Sequence, residues 1–170
     1  EILVFGSGLA RNKPADISQT IGYKRFAEVI DLIIEIMNKN GLYDTNLLIE
    51  TLNKNECNFI NTSDEANKVI QYAETDKAGI LFDIFHWYRE EDSWKDSFTK
   101  YQHLIKHIHI ADPITRKNPT PDGPGMNIIN EMLDLLEDNN YQKSISFECV
   151  FDDIEVQMKE SLDFLKKNLN

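Results

Sequence analysis

Four residues of this sequence carry side chains of types that bind cations and move protons, and each lies at or near the end of a different apolar run. Glu50 closes Asn46-Leu47-Leu48-Ile49, Asp83 closes Gly79-Ile80-Leu81-Phe82, His109 sits in His107-Ile108-His109-Ile110, and Glu148 falls in Ser144 to Val150. Two glutamates, one aspartate and one histidine form a mixed oxygen and nitrogen donor set. Such a set suits Mn²⁺, Co²⁺, Mg²⁺ or Zn²⁺ and lacks the thiolates of a structural zinc site. Carboxylates brought together on a buried face repel one another, and a divalent cation is the usual remedy. A metal is therefore expected wherever these four residues meet.

Whether they meet depends on the elements that carry them. Ile2-Leu3-Val4-Phe5 opens the chain as an apolar run with the profile of a buried strand, followed by Gly6-Ser7-Gly8. A polar loop, Leu9 to Thr20, precedes a helix over Tyr23 to Asn38, whose buried stripe is read as Phe26, Val29, Ile30, Ile33, Ile34 and Met37, with Gly41 as its stop. Thr62-Ser63-Asp64-Glu65 caps a second helix running to about Ala73, and a third covers about Asp96 to Leu104. After a Pro- and Gly-rich loop, Pro113 to Gly125, comes an amphipathic helix with Ile128, Ile129, Met132, Leu135 and Leu136; Ile154 to Leu165 forms the last.

Strand, loop and helix thus repeat five times at about 34 residues, which predicts a parallel sheet with right-handed crossovers. Strands are expected near residues 2 to 6, 46 to 51, 79 to 84, 106 to 110 and 144 to 149, with the helices on one face. Length alone favours an open doubly wound sheet, because a (β/α)8 TIM barrel takes about 250 residues. An open sheet would spread the four strand ends across roughly 15 to 20 Å. Curling it brings them together, on the face where barrel enzymes place catalytic groups. One strand-end carboxylate reads more readily as a helix cap or a loop residue; four strand-end polar groups in succession, three of them carboxylates, do not.

The composition excludes several functions. Of 170 residues 41% are apolar and 28% charged, the balance of a globular chain, and 18 Lys+Arg against 29 Asp+Glu give a net charge of −11. That field repels nucleic acids and anionic membranes. No run approaches the roughly 18 apolar residues of a membrane span, and the start lacks a secretory signal, so a cytoplasmic protein is expected. Cys57 and Cys149 have no CxxC spacing and are read as reduced thiols.

Five segments carry a resemblance: Val4 to Pro14 (VFGSGLARNKP), Ile49-Glu50-Thr51-Leu52-Asn53, Ile60-Asn61-Thr62, Leu81 to His86 (LFDIFH) and His107 to Asp112 (HIHIAD). In order and spacing the chain resembles the sugar phosphate isomerase/epimerase family, xylose isomerase-like TIM barrels that include ketose 3-epimerases. The resemblance implies that Glu50, Asp83, His109 and Glu148 are the ligands of a divalent metal, Mn²⁺ or Co²⁺ before Mg²⁺ or Zn²⁺. It also implies that Glu50 and Glu148 are the acid/base pair on opposite faces of a bound ketose, exchanging a proton beside the carbonyl through an enediolate. His86 and Glu56 would contact the substrate, with His107 behind Glu56 as an orienting partner and a further substrate contact. Arg116 stands one residue later than the family's substrate-binding arginine. Arg11 and Pro14 belong to the signature without a chemical role of their own.

By the same resemblance the five strands correspond to strands four to eight of the barrel, and the chain reads as a single domain, the C-terminal part of a longer protein. Alone it is expected to be inactive and, with strand edges open at Ile2 to Phe5 and Ser144 to Val150, to form a homo-oligomer. Its partner is a small-molecule sugar or sugar phosphate. Two alternatives keep the fold: an inosose dehydratase-type lyase, and a noncatalytic sugar-binding or interaction module. A zinc endonuclease acting at abasic sites would use Asp83, His86, His109 and Asp122, but the histidine it needs two residues beyond Asp122 is Pro124 here.

Ordinary packing competes for other residues. His103 reads as a surface position on a helix, Glu90-Glu91-Asp92 as a solvated loop, and Phe85 and Trp87 as either a sugar-pocket wall or core. Gly6-Ser7-Gly8 is too short for a phosphate cradle.

Overall fold

In a computed structural model, which describes residues 1–168, five parallel strands pair strictly in chain order and curl into a half-barrel. They are β1 (Ile2–Phe5), β2 (Asn46–Glu50), β3 (Ala78–Asp83), β4 (Ile105–Ile110) and β5 (Ser144–Phe147). The helices are α1 (Gln19–Lys39), α2 (Ser63–Tyr72), α3 (Ile84–Glu90), α4 (Trp94–Tyr101), α5 (Met126–Asp138) and α6 (Ile154–Asn168). All six add buried side chains to one cluster with Leu47, Ile49, Ile80, Phe82, Ile108 and Ile110 of the strands. Strand alternation sends Glu50, Asp83 and His109 to the opposite, concave face.

The register slips between Ile80 and Leu81, which oppose Ile105 and His107. That irregularity keeps Ile105 with Ile108 on the helix side although they are three positions apart, and leaves His107 and His109 together on the inner face. Gly79, opposite Leu48, fits here because a Cβ would lie 2.9 Å from Leu104 O and from the Leu48 side chain.

Local chemistry moves several boundaries. The Ser18 hydroxyl accepts from Ile21 N (3.3 Å), so α1 starts four residues before its apolar periodicity does. Its buried stripe is narrower than the spacing predicts: Tyr23, Phe26, Ala27, Ile30, Ile34 and Met37 face inward, and Val29 faces solvent. α4 begins at Trp94 behind a Ser93 cap, and His103 is exposed in the turn that follows it.

α3 is the element the sequence reading lacks. The expected strand stops near residue 84 and no element is assigned to the residues just after it, but Asp83 Oδ1 accepts from Phe85 N (2.7 Å) and turns the chain into a helix at once. Trp87 is then wholly buried, edge-on to Phe82 at 4.6 Å, and is core rather than pocket wall. The acidic run after it is not a solvated loop. Glu90 accepts from Lys54 N and pairs with Lys54 Nζ, and Glu91 accepts from Ser63 N (2.6 Å) and from the Ser97 hydroxyl (3.0 Å), tying the starts of α2 and α4 together. Only Asp92 of the three is exposed.

Candidate metal centre

Glu50 is the last residue of β2 and is buried. Its carboxylate can lie over the neighbouring strand end only because Gly6 is there, since a Cβ on Gly6 would overlap Glu50 Oε2. Arg11, buried beneath, donates to Glu50 O (2.8 Å), Phe5 O (3.1 Å) and Ile60 O (3.4 Å). The guanidinium thus ties the ends of β1 and β2 to the loop before α2, a structural role that its place in the sequence did not reveal. The same loop is laced by Asn58, which accepts from Lys13 N and donates to Lys13 O.

Asp83 ends β3 with its two oxygens divided. Oδ1 caps α3, while Oδ2 is buried without a hydrogen-bond partner. His109 follows on β4, and Glu148 stands one residue past the end of β5, where its N–H still extends the ladder to Ile110 O (3.2 Å). All three carboxylates address one atom: His109 Nδ1 lies 2.8 Å from Glu148 Oε2, 3.2 Å from Glu50 Oε1 and 3.9 Å from Asp83 Oδ2. One donor atom from each of the four residues falls within 4.8 Å of all the others.

The electrostatics follow from that crowding. Burial, then the charges of Glu50 and Glu148, push the Asp83 carboxyl well above the usual carboxylate range. Burial also raises Glu50, although its bond to His109 opposes this. The bond to His109 draws Glu148 down to about 2. Burial disfavours the imidazolium of His109, but the hydrogen bonds to Glu148 and Glu50 outweigh it and lift the ring to about 9. A protonated imidazole therefore supplies the positive charge that gathers the carboxylates. The donor set and the orphaned Asp83 oxygen fit a small divalent cation, since a buried carboxylate oxygen without a partner calls for one.

Beside this cluster lies a second group. His86 is wholly buried on α3, and its Nδ1 receives Asn53 N (3.1 Å) and faces Asn53 Nδ2 (2.9 Å). Burial, with the charge of Arg116 next, depresses its ring to about 3, so it is neutral. Its Nε2 has no hydrogen-bond partner and stands 3.9 Å from Asp83 Oδ2. Glu56 Oε1 accepts from Asn53 Nδ2 (3.0 Å) and pairs with Arg116 Nη1 (2.7 Å) across 60 residues of sequence. Arg116 and Arg89 both stack on Phe85, at 4.8 and 3.6 Å from its centroid.

His107 does not stand behind Glu56. Its two ring nitrogens bond the hydroxyls of Ser144 and Ser146 on β5, each at 2.7 Å, because both neighbours share its row of the inner face. Asp112, quoted in the sequence only as part of a motif, organises the loop that carries Arg116. Its Oδ1 accepts from Ile114 N, Thr115 N and the Thr115 hydroxyl, and its Oδ2 from Gly125 N (2.8 Å) at the start of α5. Asp122 is exposed and lies outside the four-residue cluster.

Parallel strands with helices on the convex side, and acidic groups converging at the carboxyl ends of the strands, define a barrel-type enzyme scaffold. Residues 1–168 match the model of the xylose isomerase-like TIM barrel family, and the chain belongs to that family. It is 29% identical over 152 residues to a D-psicose 3-epimerase of Agrobacterium fabrum, covering 87% of this chain and 50% of that one. It is also 29% identical over 125 residues to the 3-dehydro-D-guloside 4-epimerase of Escherichia coli, covering 74% and 45%. Among solved structures, the apo form of 3-keto-D-glucoside 4-epimerase from E. coli superposes with a TM-score of 0.79 at 22% identity, over 96% of this chain and 63% of that one. The chain thus spans about half the length of the curated relatives it matches. Among the described residues no helix is long and apolar enough to cross a membrane.

Proposed function

We propose that the protein to which this chain belongs is a divalent-metal-dependent sugar epimerase or isomerase acting on a ketose. The observation that carries the reading is the meeting of three carboxylates from three strand ends on His109 Nδ1, with one buried aspartate oxygen left without a partner. Epimerase relatives of related sequence support the substrate class. Glu50, Asp83, His109 and Glu148 would hold the cation. When bound, it supplies Lewis-acid polarisation of the substrate carbonyl, which acidifies the adjoining C–H bond.

The proton chemistry belongs to the chain's own residues. One of Glu50 and Glu148 takes the proton from the carbon beside the carbonyl, and the other returns a proton to the opposite face, so that configuration changes with no net gain or loss of atoms. Their surroundings differ in a way that suits two roles. Glu50 is enclosed by Gly6 and the bond network of Arg11, whereas the Glu148 side chain keeps 42% of its exposure. His86, Glu56 and Arg116 provide neutral, anionic and cationic groups for the sugar hydroxyls.

Incubating the intact protein with candidate ketoses in D2O and Mn²⁺ or Co²⁺ tests this. Deuterium should enter beside the carbonyl, and Glu50→Gln or Glu148→Gln should each slow exchange by at least about 10²-fold. Exchange that survives both replacements would remove the mechanism. A product that has lost water would move the assignment to the lyase.

A further inference from the structure

Asn53 is not one of the four clustered residues, is only 3% exposed, and has every polar atom in use. Its carbonyl accepts from Glu56 N (2.9 Å) and Cys57 N (3.1 Å). Its side-chain Oδ1 accepts from Asn55 N (3.0 Å), closing an Asx turn. A backbone N–H can only donate, so the oxygen of the amide must face Asn55 and the nitrogen must face the other way. That nitrogen carries two hydrogens, and two acceptors stand before it: His86 Nδ1 at 2.9 Å and Glu56 Oε1 at 3.0 Å.

The consequence for His86 is strict. Its Nδ1 meets two donors, the backbone N–H and the amide N–H of Asn53, and so is the unprotonated nitrogen. The ring proton is then on Nε2, which is buried and has no hydrogen-bond partner. The imidazole is held as a neutral donor with its N–H free beside the metal cluster, and the same amide holds the Glu56 carboxylate against Arg116.

We propose that Asn53 is the positioning residue of the substrate side: it fixes His86 in the Nε2–H form, ready to donate to a sugar oxygen, and locks His86 and Glu56 into one unit. This rests on the ketose reading above for the identity of the acceptor, while the tautomer assignment stands on the hydrogen bonds alone. Outer-shell partners of this kind typically contribute about 10- to 100-fold to activity or affinity.

The test uses the intact, metal-free protein labelled with ¹⁵N-histidine, read by long-range ¹H–¹⁵N correlation, alongside kinetics of the metal-loaded enzyme. Wild-type His86 should show an unprotonated Nδ1 and a protonated Nε2. Asn53→Asp puts an acceptor in place of the amide donor, so that Nδ1 keeps only the backbone N–H against a facing carboxylate, and the Nε2–H form should lose population to the Nδ1–H form. Asn53→Ala keeps the backbone donor, so His86 should retain its form while Glu56 is released. Both variants should raise KM for the ketose by about 10-fold or more, with Asn53→Asp the more severe. A wild-type His86 protonated on Nδ1, or a KM unchanged in Asn53→Ala, overturns the proposal even if Asn53→Asp fails to fold. A protein silent toward ketoses whose His86 still responds to Asn53→Asp would sink the epimerase reading and support the Asn53 assignment; an active enzyme whose His86 ignores that change would do the reverse.

Discussion

Leu3 and Leu47 are register partners on adjacent strands, the same residue type in the same row of the sheet. Leu47 is 1% exposed and Leu3 is 44% exposed. Leu47 has a strand on either side and contributes to the central cluster, whereas β1 pairs on one side only. The same contrast runs through the site. Glu50 and Asp83 come from interior strands, and their carboxylates are almost wholly enclosed; Glu148 comes from beyond the edge strand β5 and is held by His109 and one ladder bond. Burial here is a property of neighbours more than of residue type, and the site is built half from enclosed parts and half from an open edge.

The sharpest way to break that comparison is to cut both leucines back. Leu47→Ala should destabilise the chain by about 2 to 5 kcal/mol, the usual range for a fully buried leucine. Leu3→Ala should cost less than about 1 kcal/mol in the same urea titration, as an exposed position does. Equal losses would mean that the edge is covered in solution.

Gly6 tests the enclosed half of the site. Gly6→Ala sets a methyl against Glu50 Oε2 and should cost about 1 to 3 kcal/mol, as overpacking does, and should weaken Mn²⁺ or Co²⁺ binding measured by calorimetry. Unchanged metal affinity would show that Glu50 has room to move aside.

The pH dependence of the metal-free chain probes the enclosed and the open halves of the site together. His109 has its folded pKa raised from 6.5 to about 9, so its contribution is complete below pH 6.5 and disappears as pH rises through 9. Asp83 and Glu50 are raised as well and act in the same direction. Glu148, lowered from 4.5 to about 2, contributes above pH 4.5 and loses its effect as pH falls through 2. Stability in thermal melts should therefore fall between pH 6.5 and 9 without metal. With saturating Mn²⁺ or Co²⁺ the slope should flatten or reverse, because metal binding displaces those protons. Identical slopes would argue that the cluster does not bind the cation.

Much of this was legible along the chain. Apolar runs ending in Glu50 and Asp83, the first followed by a cap and a helix and the second by a helix further along, place those carboxylates at strand ends by local rules alone. α3 escaped because its start depends on one side-chain bond from Asp83, and a seven-residue helix is too short to establish a period. Asn53, Asp112 and Arg11 escaped for another reason. Their partners lie at His86, Gly125, Phe5 and Ile60, and nothing in a linear spacing of asparagine, aspartate or arginine marks which polar groups it will meet.

By itself, then, the sequence determined the alternation of strands and helices, the parallel order, and the placing of Glu50, Asp83, His109 and Glu148 at or near strand ends, because each of these is written in short-range patterns of polarity. Only the tertiary structure decided that two carboxylates bond one imidazole nitrogen with a third 3.9 Å away, that His107 turns to serines instead of Glu56, and that Val29 faces water. Those outcomes depend on distances of a few ångström between residues up to 60 positions apart. Hydrogen bonds and burial act over such distances in space, and a linear pattern holds no record of them until the chain has folded.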